Sequence, residues 1–375
     1  MRLLRAIIGG FSFRRTPWAL LAAGVLLGLV GVVFITSAHS WGFGRRHLQF
    51  LAMGVVAFLI AALFDYRHLA SLSIVLYAGG IAALGLLPFL GETRNYATRW
   101  YDVGPFLVQP SEPMKYIVVL ALATYFRYRS RLDRLRDLAA PLLLVIVPML
   151  LIALQPDLGT SLLFLPAFFV VAFLAGVPVR NLALIVAAGV ALAGVAWVTP
   201  RGLKDYQRDR VLSFLYPERN RGSTAYYNAE QAARAIMDGG PRGQGWGEGR
   251  RTLLGQVPES HTDFIFPVIA EQWGFFRTAA LVLFYLLLIV LMGSLVREAP
   301  DLFGGLLAGG VLTLFAFQSL LHMAISLRLT PITGLTLPLV SYGGSSLLST
   351  MAGLGLVAGV GARRARPTVD ETIAQ

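Results

Sequence analysis

Residues 18–38 read WALLAAGVLLGLVGVVFITSA, an unbroken apolar run without a charged side chain. At a rise of about 1.5 Å per residue, such a run extends about 30 Å as a helix, the hydrocarbon thickness of a bilayer. It follows Arg2, Arg5, Arg14 and Arg15, as the core of a signal peptide would, but it is too long for one and reads as a retained helix. Nine more apolar segments follow, at 48–64, 70–90, 113–126, 139–154, 158–176, 181–199, 263–296, 302–327 and 341–362. The 375 residues are 56% hydrophobic and 14% charged, where soluble domains carry about 25% charged residues. In lipid, backbone groups must bond within helices or a closed barrel. Barrel strands alternate in polarity and these segments do not. The expected fold class is therefore an all-α integral membrane protein of about ten transmembrane helices, with residues 1–375 forming one polytopic domain.

Arginines give the expected orientation. With ten helices and both termini on one side, that side's loops hold fifteen arginines, the four N-terminal ones, Arg67, five in 127–136, Arg180, Arg297, Arg363, Arg364 and Arg366. The short loops of the other side hold five, at 45, 46, 94, 99 and 328. The excess marks the cytoplasmic side, which places both termini in the cytoplasm. The net charge of +12 invites a nucleic-acid reading. The basic run 127–136 serves better as a topology determinant, so no nucleic-acid partner is expected.

Residues 200–262 form a large polar loop between the seventh and eighth segments, placed on the extracytoplasmic side. Long loops escape the charge rule, and long loops in compact chains are commonly functional or disordered. Tyr206, Phe214, Tyr216, Tyr226, Tyr227 and Trp246, with a helical pattern over 225–238, favour an ordered loop. Its many cations suit an anionic lipid headgroup or pyrophosphate. Within it, 239–249 reads GGPRGQGWGEG. No strand precedes this stretch and no Walker Lys-Ser/Thr follows, so a tight turn is the better reading than a nucleotide site. The chain has no cysteine, and His39, His47, His68, His261 and His322 are scattered without metal-ligand spacing. No protein-held metal is expected, though a divalent cation (Mg or Mn) can arrive with a substrate.

Several polar residues flank apolar segments, each open to two readings. Asp263 ends Ser260-His261-Thr262-Asp263 before an apolar run, the pattern of a capping box; it is equally a carboxylate able to act as a general base. Glu112 and Lys115, three apart, face each other on one helical turn, as a buried structural pair or as substrate contacts. Asp157 in Gln155-Pro156-Asp157-Leu158-Gly159-Thr160 is a helix cap or a second acid near the same face. Arg99 beside Trp100 is an interfacial anchor or a substrate cation. Residues 331–346, PITGLTLPLVSYGGSS, suit a cavity-lining re-entrant segment or close packing through small residues.

Five motifs then recur in a known order: QPSEPMK at 109–115, QPDLGTS at 155–161, DYQRDRVLSFLYPE at 205–218, PESHTDFIFPVIAEQWGF at 258–275 and LPLVSYGGSS at 337–346. Together they resemble the SEDS family (shape, elongation, division and sporulation), and the short N-terminal extension looks most like its RodA branch. The resemblance implies ten helices with a large outer loop between helices 7 and 8, and a peptidoglycan glycosyltransferase that polymerises lipid II during cell-wall elongation beside a class B penicillin-binding protein. It implies an essential role for Asp263 and involvement of Glu112, Lys115 and Asp157. The chain departs from the family pattern at His322, where Asn is usual, at Arg328, where Gly is usual, and at Gln272, where a second Glu is common.

Lipid II carries an α-linked pyrophosphate and the product glycan is β-linked, so one displacement with inversion needs one base and a stabilised leaving group. Asp263 is the expected base for the acceptor hydroxyl. Pyrophosphate leaves readily when cations meet its charge, and Lys115, Arg99, Lys204, Arg208 and Arg210 are the candidates, with a divalent ion as an alternative. A lipid II flippase is the rival reading. It would favour a midplane site and an internal repeat, and no convincing repeat is visible.

Overall fold

The computed structural model describes residues 11–94, 97–104, 106–129, 132–199 and 203–363. Both termini, with Arg2, Arg5, Arg364 and Arg366, and also Arg131 and Arg201, lie outside the described residues.

All ten apolar segments form helices. In chain order these are α1 (Trp18–Ala38), α2 (Trp41–Leu63), α3 (Tyr66–Leu90), α4 (Ser111–Arg127), α5 (Ala139–Leu154), the pair α6 (Leu158–Leu162) and α7 (Phe164–Leu174), α8 (Val179–Val198), α12 (Ile265–Arg297), α13 (Leu302–Ser326) and α14 (Gly344–Gly361). Between α8 and α12 the polar segment folds into α9 (Asp205–Leu215), α10 (Thr224–Gly239) and the single turn α11 (Arg250–Leu253). Among the described residues, 8 helices are long and apolar enough to cross a membrane. Two segments fall short of that length. Helix α4 has 17 residues, and 158–174 is broken at Leu163, where Pro166 removes the amide that would bond Leu162.

Burial follows position in the bundle. Helix α13 runs through the middle, packing on α4, α7, α12 and α14, while α14 packs along α2. Small residues permit these approaches. A Cβ on Gly355 would collide with the α2 backbone at Phe58, and one on Gly310 with Val119 of α4. Helices α3 and α8 lie at the periphery and leave most of their apolar surface exposed, as lipid-facing helices do.

The structure departs from the all-α expectation at one place. Residues 92–108 form a small antiparallel sheet, β1 (Glu92–Arg94), β2 (Ala97–Val103) and β3 (Phe106–Val108), in the order β1-β2-β3. Thr98, Trp100, Tyr101 and Val103 are strand-forming residue types, and a seven-residue strand is too short to register in a search for apolar blocks. Tyr101 Oη donates to Ala83 O of α3 at 2.6 Å, and Ser345 Oγ at the start of α14 donates to Leu107 O at 3.2 Å. The sheet is thereby seated on the bundle, with Arg99 at its middle strand.

A carboxylate cleft at the loop end of the bundle

The eighth apolar segment is not one straight helix. Gly274 breaks α12 with φ 74°, ψ −177°, a backbone region that favours glycine. The glycine-rich turn docks into that break. Gln244 and Gly245 amides donate to Glu271 O and Gln272 O at 3.0 and 3.1 Å, and Phe275 N donates back to Gly240 O at 2.8 Å. Gly247 N donates to Gln272 Oε1 at 3.0 Å, and Ser37 Oγ donates to the same atom at 2.8 Å. These turn amides are spent on α12, which supports the tight-turn reading over a phosphate cradle. Gln272, a departure from the family pattern, works here as a neutral double acceptor. Its neighbour Glu271 is fully buried and accepts from Arg251 N at 2.6 Å and from Thr252 Oγ1 at 2.6 Å, capping α11.

Asp263 sits one residue before the N-cap Phe264, and α12 has no side-chain cap. The capping-box reading is therefore corrected: Ser260 Oγ turns instead to Ala38 O at 3.4 Å. The Asp263 carboxylate is half-buried, and a Cβ added at Gly334 of the 331–337 segment would lie 3.4 Å from its Oδ2. Burial, and then the negative charges of Glu259 and Asp157, push its pKa up to about 6, against the pull of Arg210 and Arg99. That is the value of a carboxylate tuned toward base catalysis near neutral pH.

Asp157 does cap a helix. Its Oδ1 accepts from Thr160 N at 3.2 Å, starting α6, while Oδ2 accepts from Gln109 Nε2 at 3.2 Å. Gln109 begins the QPSEPMK motif, so the two proline motifs are tied through their polar side chains. Arg99 completes the turn from the sheet: its Nε donates to Gln155 O at 2.9 Å and a second nitrogen donates to Pro156 O. Arg99 thus holds the QPD backbone while its charge reaches Asp263.

Of the three loop cations expected near a leaving group, one faces the carboxylates. Arg210 of α9 donates to Thr333 O at 3.3 Å and interacts electrostatically with Asp263 and Asp157. Burial lowers its pKa, with Tyr206 and Asp263 opposing. Arg208 turns the other way, to Thr199 O at the end of α8 at 2.7 Å. Lys204 lies exposed ahead of α9, its backbone amide bonded to Gln207 Oε1 at 3.0 Å. Arg208 and Arg210, two apart on a short helix, point to nearly opposite sides, and which of them meets the cleft depends on how the helix docks.

Glu112 and Lys115 form the expected pair, Nζ to Oε2 at 3.0 Å, both buried. Lys115 also donates to Gln318 Oε1 at 2.9 Å, and Gln318 Nε2 donates to Thr336 O at 3.0 Å. One turn further on α13, His322 Nδ1 bonds Leu335 O at 2.7 Å. Tyr285 Oη donates to Pro338 O at 2.7 Å. The irregular 331–343 segment is therefore held by side chains from α12 and α13, as non-helical backbone within a bundle requires. Gly159 of the QPDLGT motif packs against it too: a Cβ there would lie 2.6 Å from Thr333 O. Gln318 was not singled out in the sequence and His322 only as a departure from the family pattern, although two polar side chains four apart in an apolar span are a usable signal. Among the described residues, no group of three or more His, Cys, Asp or Glu side chains is close enough to hold a metal ion.

Carboxylates, a guanidinium and a pinned irregular segment meeting at one end of a membrane bundle match the motif order read above. The family model described as cell cycle protein of FtsW, RodA and SpoVE matches residues 15–366. The chain belongs to the FtsW/RodA/SpoVE family. It is 34% identical over 333 residues to the peptidoglycan glycosyltransferase MrdB of Escherichia coli strain K12, covering 89% of each chain. Identity to the peptidoglycan glycosyltransferase RodA of Treponema pallidum is 30% over 423 residues, covering 92% of this chain and 98% of the relative. Among solved structures, a chain from a peptidoglycan synthase complex that coordinates polymerization and crosslinking superposes with a TM-score of 0.82 at 34% identity, covering 94% of this chain and 99% of that one. RodA of Thermus thermophilus, a rod shape determining protein, superposes with a TM-score of 0.71 at 30% identity, covering 95% and 99%. The chain is accordingly a multi-pass membrane protein and an enzyme of the peptidoglycan glycosyltransferase class.

Proposed function

We propose that this chain polymerises lipid II into glycan strands during cell-wall elongation, at the outer face of a bacterial inner membrane. In this reading residues 1–375 are one membrane domain with both termini in the cytoplasm, and 200–262 is the extracytoplasmic loop. Asp263 deprotonates the acceptor 4-hydroxyl, which attacks the donor's anomeric carbon from the face opposite the pyrophosphate. The C–O bond to pyrophosphate breaks as the β-linkage forms, which gives inversion. Unlike a glycosidase, the site needs no acid for the leaving group, because a cation can meet its charge. Arg210 supplies that charge. Asp157 and Arg99 position the cleft, and the Glu112–Lys115 pair braces the 331–337 segment through Gln318. A divalent cation (Mg or Mn) arriving on the pyrophosphate would add to the charge of Arg210.

The observation that carries this reading is the uncapped carboxylate of Asp263, raised to about 6 and facing Arg210. A cap would need that carboxylate ionised and hydrogen-bonded to amides; a base needs it half-buried and unspent. A class B penicillin-binding protein is the proposed partner, consistent with the synthase complex among the similar structures.

The test is lipid II polymerisation by the purified full chain in detergent, with and without a class B partner and Mg or Mn, for wild type and Asp263→Ala. Glycan from wild type and none from a folded mutant supports the assignment. No glycan from either, with partner and metal present, moves the function to lipid II translocation.

A further inference from the structure

The helix α10 is walled by cavities on two faces. One, of about 460 Å³, is lined by Arg221, Tyr226, Tyr227, Glu230, Gln231 and Arg234. The other, of about 200 Å³, has Arg210, Ser213, Phe214, Ala225, Ala229 and Arg328 among its lining residues. The two meet at one ion pair: Arg328 of the smaller cavity donates to Glu230 Oε2 of the larger at 2.5 Å and lies over the Tyr226 ring at 5.5 Å. The smaller cavity in turn shares Arg210 with the Asp263 cleft. Arg210, which faces the carboxylate, and Arg328, which pairs with Glu230 of α10, therefore line the same cavity.

The chemistry of the larger cavity is selective. Tyr227 is half-exposed beside Tyr226 on the face that also carries Arg234 and Gln231. Glu230 is shared between Arg234 at 2.8 Å and Arg328, and Arg221 pairs with Glu218. Two guanidiniums, Arg221 and Arg234, against the one carboxylate of Glu230 leave the lining net positive and hydrogen-bonding, with the Tyr226 and Tyr227 side chains in it. Ring faces stack on the apolar faces of sugars, while arginine forks bond hydroxyls, amides and carboxylates. A lipid tail would find no apolar trough there.

We propose that the α10 groove is a binding site for the growing glycan strand, an acetylated amino-sugar polymer bearing carboxylate side branches. This rests on the proposed polymerase reading: a strand extended repeatedly at one carboxylate is kept in register there by subsites beyond the reacting sugar. Arg328 sits at φ 57°, and its pair with Glu230 joins the two cavities.

The test uses the full chain in detergent and needs no turnover. Binding of short, un-cross-linked glycan oligomers is measured by fluorescence anisotropy for wild type, Tyr227→Ala and Arg234→Gln, with product length from lipid II scored in parallel. Losing a stacking ring or a guanidinium fork is expected to weaken oligomer binding by about tenfold and to shorten the products. Tyr128→Ala, at the opposite end of the bundle, is the control for nonspecific effects. Unchanged oligomer affinity in both groove variants overturns the inference, whatever the polymerisation result. A wild type that binds oligomers but makes no glycan even with a class B partner and Mg or Mn present removes the polymerase reading and leaves the groove.

Discussion

The two ends of this bundle carry similar charged residues and use them differently. At the end away from the loop, Arg363 is fully buried and donates to Gly359 O at 2.6 Å, Ala62 O at 3.1 Å and Leu63 O at 2.7 Å. Asp65 lies 3.8 Å from it, and Asp301 accepts from Tyr66 Oη at 2.6 Å and Arg67 Nε at 3.0 Å while capping α13 through Gly304 N. Those groups lock α2, α3, α13 and α14 together. At the loop end Asp263 caps nothing and Arg210 holds one carbonyl. The difference separates scaffold from chemistry: an ionised group with its bonds committed fixes a fold, and one with capacity to spare can meet a substrate.

Removing one charge at each end sharpens this contrast. Asp263→Ala is expected to cost about 10²–10⁴-fold in polymerisation, the worth of a general base, with thermal stability retained. Arg363→Met is expected to do the reverse, lowering stability by about 3 kcal/mol through the loss of three buried carbonyl bonds while activity per folded molecule survives. A thermal melt in detergent beside the lipid II assay reads both, and equal losses of stability in the two variants would collapse the distinction.

A smaller effect probes the tuning of the base. A carboxylate with its pKa raised to about 6 is active when deprotonated, so the rate should rise with pH through about 6 and level off above it. The same shift has an opposite sign for stability. Between the ordinary carboxyl value and about 6 the folded chain binds more protons at Asp263 than the unfolded one, so stability falls as pH rises through that window. Asp263→Asn, which removes the ionisation, should therefore be inactive and no less stable than wild type at neutral pH. A rate profile flat from pH 5 to 8 would remove Asp263 as the titrating base.

Arg99→Lys tests positioning. Lysine keeps the charge but cannot hold Gln155 O and Pro156 O together in the guanidinium fork, so about a tenfold loss in kcat is expected. The smallest change is Lys204→Gln. With Lys204 exposed, polymerisation should stay within about twofold, the scale of surface charges away from a site. A large loss there would show that the loop carries a cationic contact beyond Arg210.

How much of this was legible follows from the range of each interaction. Glu112 and Lys115 were paired from their spacing of three, which one helical turn guarantees. Asp157 was readable as a cap for the same local reason. The capping-box expectation for Asp263 used equally local logic and failed, because the chain stays non-helical through Phe264 while Tyr342 N bonds His261 O at 2.8 Å and Ser341 Oγ bonds Thr262 O at 2.7 Å. Contacts from the far end of the sequence hold that backbone. The β2 strand was missed because its signal lies in a polar stretch between two stronger apolar ones.

By itself the sequence determined the membrane, the ten helical segments and the family, since these depend on apolar length, on the need to satisfy backbone in lipid, and on motifs read in order. Tertiary structure alone decided that Arg210 rather than Arg208 or Lys204 meets Asp263, that Gln318 and His322 pin the 331–337 segment, and that the glycine-rich turn is consumed by the break in α12. Hydrophobic periodicity and one-turn spacing act between near neighbours and can be read along the chain. The reach of a charge across a cleft depends on which helices come to lie beside one another, and that exists only once the bundle has closed.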